Sequence, residues 1–77
     1  MTKRQTSKIL RFKVFCLENY KNKHRMKGAD AMRLFKQYGV LGYLGSCYDM
    51  LHSFGAKYLV QDIDEFIRIR QKKAKSA

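Results

Sequence analysis

The chain has no proline, no tryptophan and few acids: six Asp and Glu stand against seventeen Lys and Arg in 77 residues. Without proline no residue forces a helix to break, and that punctuation falls to the five glycines. The two cysteines, Cys16 and Cys47, form no CxxC pair and no Cys/His cluster, so no zinc site is suggested. Both lie in apolar periodic segments and read as reduced, buried thiols. A disulfide would be unusual in a reducing cytosol. No stretch approaches the ~20 apolar residues that span a bilayer. The apolar run after the basic start is broken by Arg11, Lys13 and Glu18, unlike a signal-peptide core. A soluble cytoplasmic protein is expected, with no membrane partner.

Catalytic constellations are also missing. His24 sits in a basic stretch and reads as a solvated loop residue. His52 follows Leu51 at a helix end and reads as a C-terminal cap or a half-buried structural residue. Asp62, Asp64 and Glu65 fit one helical turn better than a metal site, since no companion ligand set is visible. Ser46 and Cys47 beside Gly45 make no nucleophile elbow. No glycine-rich phosphate loop is present. No catalytic residue, metal or cofactor is expected, and the chain is not read as an enzyme.

What the chain does have is charge, unevenly placed. Residues 1–36 carry eleven Lys/Arg against Glu18 and Asp30, a net +9. Residues 37–67 carry Lys57 against four acids, a net −3. Residues 68–77 carry five bases and no acid, completing the net +11. Such a balance bears on partners rather than on fold.

The apolar residues, 45% of the chain with ten aromatics, are those of a folding sequence. Ile9, Phe12, Cys16 and Tyr20 recur at helical spacing, with Leu10, Val14 and Leu17 beside them. A first helix is expected over residues 7–22, capped by Thr6 or Ser7. Residues 21–27 read as a basic connector. A second helix is expected over residues 29–38, on Ala31, Leu34 or Phe35, and Tyr38, with Asp30 in its first turn and Gly39 as a left-handed stop. A third is expected over residues 41–51, on Leu41, Leu44, Tyr48 and Leu51, ended by Gly55. Gly42 and Gly45 within it suggest close approach of another backbone, and leave a homodimer open. Residues 56–60 read as a short extended segment. Asp62 and Glu65 then have capping-box spacing for a last helix on Ile63, Phe66 and Ile67. Arg68, Arg70, Lys72 and Lys73 suit its C-terminal end. The sum is one all-α domain over residues 1–77: a compact bundle of about four short helices with an extended segment before the last. Its core would lie within residues 7–73, between frayed basic termini.

Two kinds of partner follow. Lys21, Lys23, Arg25 and Lys27, with Arg11 and Lys13, are the candidate docking residues for an acidic protein or for phosphates. Tyr38, Tyr43 and Tyr58 are candidate aromatic anchors. Helices two and three resemble a helix-turn-helix in outline, but the second carries no Arg, Lys, Asn or Gln to read base edges. Nucleic-acid binding would therefore be nonspecific and salt-sensitive.

Several strings are familiar together. Phe15-Cys16-Leu17-Glu18-x-Tyr20, Ala31-x-x-Leu34-Phe35-x-x-Tyr38-Gly39-Val40, Cys47-Tyr48-Asp49-x-Leu51-His52-x-x-Gly55 and Tyr58-Leu59-Val60-x-Asp62-Ile63-Asp64-x-Phe66-Ile67 cover nearly the whole chain. They resemble a bacterial family, common in Firmicutes, catalogued as the domain of unknown function three-seven-nine-one. The resemblance implies a small helical domain without assigned catalysis. Its members are often encoded beside proteins resembling ADP-ribosyltransferases, as in toxin–antitoxin pairs. It therefore implies a protein-binding role, antitoxin-like or accessory to the neighbour, with nonspecific nucleic-acid binding as the alternative. The basic charge is not part of the family pattern.

Overall fold

The computed structural model describes residues 3–76, and the side chains of residues 7–73. These residues form five helices and no strand. They are α1 (Lys3–His24), α2 (Gly28–Tyr38), α3 (Val40–Ser46), α4 (Tyr48–Leu51) and α5 (Ala56–Ser76). The all-α bundle is as expected; the boundaries differ in four instructive places.

α1 starts earlier and ends later than its apolar stripe suggests. Thr6 and Ser7 lie inside it, and so do Lys21, Lys23 and His24, which shrinks the basic connector to residues 25–27. The stop is made by Arg25, a non-glycine residue at φ 52°. There the amide of Met26 reaches back to the Lys21 carbonyl at 3.0 Å, and that of Arg25 to Asn22 at 3.4 Å. This is the paired hydrogen-bond pattern of a left-handed helix stop. Met26 then packs against the core. On α1, Phe12, Cys16 and Tyr20 are buried, but Leu10, Val14 and Phe15 are not. The apolar face read from the sequence is wider than the face that is covered.

Gly39 does what its position suggests. It takes φ 70°, ends α2, and its carbonyl accepts the Tyr43 amide of α3 at 3.2 Å. Phe35, Val40 and Leu44 are fully buried around this corner. The expected third helix is two helices. Cys47, at φ −105° and ψ 18°, leaves the α-helical region and separates α3 from α4. Cys47 is only partly buried, so of the two thiols only Cys16 is a core residue. Gly42 and Gly45 admit no neighbouring backbone. A Cβ at Gly42 would meet nothing within 4 Å, and one at Gly45 would meet the Lys13 side chain, Cε at 3.1 Å.

Residues 56–60 are helical, correcting the extended reading. Val60 and Tyr58 are strand-favouring residues, but tertiary packing overrides such preferences. Leu59, Val60, Ile63 and Ile67 follow one 3.6-residue period and are all buried. The helix therefore begins at Ala56, where the Gly55 carbonyl accepts the Leu59 amide at 3.0 Å. Gly55 starts α5 rather than ending the helix before it. Asp62 is consequently interior to α5 and caps nothing.

Phe12 and Phe15 share a groove with Leu59, while Lys23 and His24 pair with Asp64. The two long helices thus pack against each other. α2 and α3 fold across them: the Tyr20 ring meets Phe35 edge-on at 5.2 Å, and Tyr43 stacks on Phe66 at 4.3 Å.

The two glycines predict stability changes of opposite sign. Gly42→Ala gains helix propensity in open space and is expected to raise stability by about 0.5–1 kcal/mol. Gly39→Ala places a side chain at positive φ and is expected to cost about 1 kcal/mol. Urea midpoints at constant slope check both. Burial also pushes the Cys16 thiol from 9.0 up to about 12. A raised folded-state value means full stability below pH 9 and progressive loss as pH rises towards 12. The urea midpoint is expected to fall across that range, less steeply in Cys16→Ala. At pH 8 a thiol-specific reagent is expected to modify Cys47 in the native protein, and both thiols only in denaturant.

Candidate functional site

Most carboxylates are consumed inside the fold. Glu18 holds Lys21 at 2.9 Å, and Asp30 faces Arg33 at 3.9 Å. Asp64 accepts from Lys23 at 3.2 Å and pairs with His24 Nε2 at 2.7 Å. Glu65 holds Arg68 one turn along, with the Arg68 Nε at 3.1 Å. Asp62 accepts the Tyr43 hydroxyl at 2.6 Å. The three acids expected as one cap cluster thus point to three places: Asp62 to α3, Asp64 to the end of α1, Glu65 along α5. Among the described residues, Lys8, Arg11, Lys13, Arg25 and Lys27 have no carboxylate partner, and neither do Lys36, Lys57, Arg70 and Lys73. The basic excess of α1 and its turn is left uncompensated.

The six candidate docking cations do not form one patch. Arg11 and Lys13 lie two residues apart on α1 and face opposite ways, since two helical steps turn the chain by about 200°. Arg11 lines a groove, whereas the Lys13 stem lies over Gly45. Lys21 and Lys23 are occupied by carboxylates. Arg25 and Lys27 are exposed at the α1–α2 turn, and the Lys27 carbonyl accepts the Ala31 amide at 3.0 Å. His24 is not a solvated loop residue: it ends α1, packs its ring at a tilt against Tyr20 and pairs with Asp64.

The three tyrosines also separate. Tyr43 is built into the α3–α5 contact. Burial, then the hydrogen bond to Asp62, pushes its hydroxyl well above the usual 10.0. It is not an exposed anchor. Tyr38 is half-buried, with Gln37 Nε2 at 3.5 Å from its hydroxyl. Tyr58 is 50% exposed and leans on Phe54.

One surface feature that the sequence reading did not assemble is an open groove of about 640 Å³. Phe12 and Leu59 close its floor. Lys8, Arg11 and Phe15 of α1 form one side; Tyr48, His52 and Phe54 form the other. Phe12 meets the Tyr48 ring edge-on at 5.4 Å. His52 stacks on Tyr48 at 4.6 Å, and its Nδ1–H donates to the Tyr48 carbonyl at 2.7 Å. That bond is the C-terminal cap foreseen for His52. One signal was available in the sequence: Lys8, Arg11 and Phe15 follow the i, i+3, i+7 spacing of a single helix flank. The other wall depends on how the loop after α4 folds back, and no local pattern encodes that.

Among the described residues, no group of three or more His, Cys, Asp or Glu is placed to hold a metal ion. No helix there is long and apolar enough to cross a membrane. No curated protein and no solved structure matches the chain. Residues 11–70 match the model of a family described as Protein of unknown function (DUF3791), from the α1 wall of the groove through most of α5, and the chain belongs to that family.

Proposed function

We propose that the chain is a non-enzymatic protein-binding module that docks on an acidic protein partner, antitoxin-like or accessory to a neighbouring gene product. The observation that carries the proposal is the uncompensated charge. Five cations on α1 and its turn lack carboxylates, while all but one of the chain's acids are engaged internally. Unpaired surface cations weaken a small domain through self-repulsion and gain when an acidic surface meets them. Exposed aromatics beside them supply the apolar part of an interface. The gene-neighbour habit implied by the family resemblance points to an ADP-ribosyltransferase-like protein as the partner.

Nonspecific nucleic-acid binding would use the same cations. It is the second reading: α3 and α4 carry no Arg, Lys, Asn or Gln, so contact would be to phosphates alone.

The test is co-expression with the neighbouring ADP-ribosyltransferase-like protein, followed by pull-down. A complex is expected at micromolar concentration or below. Its association rate should fall as salt rises from low to physiological ionic strength. Absence of a complex at micromolar concentration overturns the reading. So does tighter, salt-sensitive binding to duplex DNA.

A further inference from the structure

The groove is a surface the fold leaves unused. Phe15 and Phe54 remain 45% and 39% exposed on its two sides, although a buried floor lies beneath them. Lys8 and Arg11 stand beside Phe15 on one flank of α1, and neither is neutralised within the chain. We propose that this groove takes a short acidic segment of a partner protein. One apolar side chain of the segment enters between Phe15 and Phe54, and its carboxylates meet Lys8 and Arg11. The proposal rests on the reading of the chain as a protein-binding module and adds where the partner binds and by what chemistry.

Charge selects the occupant. A second copy would bring its own net +11, and five of its six acids are already engaged internally. The chain's own C-terminal end is basic as well, and α5 carries it away. From Leu59 to Lys73 the helix rises by about 21 Å. A nucleic-acid strand would need free aromatic faces for its bases. Here His52 covers one face of Tyr48 and Phe54 leans on Tyr58, so among the lining rings Phe15 alone has no ring partner, one platform where a strand needs several. An aliphatic or aromatic side chain needs only the apolar walls, and a carboxylate is the group that bidentate Arg11 suits best.

The full chain is titrated with four fluorescein-labelled probes, with binding sites mapped by amide chemical-shift changes. The probes are a peptide of alternating Glu and Ala with a central Phe, the same peptide with Ala for Phe, the same with Lys for Glu, and an oligothymidine strand. The Glu/Phe peptide is expected to bind tightest, shifting residues around Phe15 and Phe54. Loss of its Phe, or Phe54→Ala or Arg11→Glu in the protein, is expected to weaken it about tenfold. Both positions are exposed, and unchanged thermal melting confirms that the variants fold. Equal binding with and without Phe, shifts centred on Arg25 and Lys27, or tighter binding of oligothymidine each overturn the proposal. The two readings fail separately. If the variants capture the neighbour-encoded protein as well as the native chain does, the groove is wrong and the binding module stands. If the native chain captures nothing, the module itself is wrong.

Discussion

The structure depends on one apolar seam between its two long helices. Cys16 on α1 and Ile63 on α5 are fully buried, and Phe12, Tyr20, Leu59, Val60 and Ile67 flank them. Each large side chain fully buried there stabilises by about 1.5–3 kcal/mol. The charged contact between the same helices, Lys23 and His24 with Asp64, is partly exposed and contributes about 0–1 kcal/mol. The seam holds the bundle, and Asp64 within α5 ties the end of α1 to it. α2 and α3 pack beside this seam. Gly39 turns the chain there, and Phe35, Val40 and Leu44 fill the remaining space.

The same arrangement explains where charge is left over. Asp62 and Asp64 lie on opposite flanks of α5, one facing α3 and the other the end of α1. Once they are engaged, Asp49 is the one acid among the described residues without an internal partner, and no carboxylate pairs with Lys8 or Arg11 on the groove side of α1. Lys8 and Arg11 are stranded there because their helix is anchored by its other flank. The charge asymmetry of the sequence therefore becomes a property of particular faces. Part of it is absorbed locally, as with Glu18–Lys21 and Glu65–Arg68, and the remainder stays on α1 and its turn, on Lys36 and Lys57, and towards the C-terminal end of α5.

How much was legible follows from range. The stripe Phe12, Cys16, Tyr20 and the left-handed stop at Gly39 are local patterns, and both were readable. The acidic triplet was misread because capping-box spacing is also local, and here a longer period overrode it. Extending the window back to Leu59 joins Ile63 and Ile67 into one helical face, and Asp62 falls inside it. Arg25 was invisible as a helix stop because the sequence signal for positive φ is glycine, and packing of Met26 enforces the turn instead. The division at Cys47 has no glycine to announce it either. The groove was half legible. Its α1 wall is a spacing, whereas its other wall is a tertiary contact between Phe12 and Tyr48.

Size limits what this domain can enclose. A domain of about 60 residues buries only about 60% of what its unfolded chain exposes. The fully enclosed positions, among them Phe35, Leu44, Leu59 and Ile63, are spent on holding five helices together. Among the described residues no buried residue is polar or charged. What such a domain can offer is an open depression whose walls are side chains the core does not need. Phe15, Phe54, Lys8 and Arg11 are of that kind: all are exposed, and none is an internal support. A groove made of dispensable walls over an indispensable floor can change its partner without changing its fold. The floor residues Phe12 and Leu59 belong to the seam and have no such freedom.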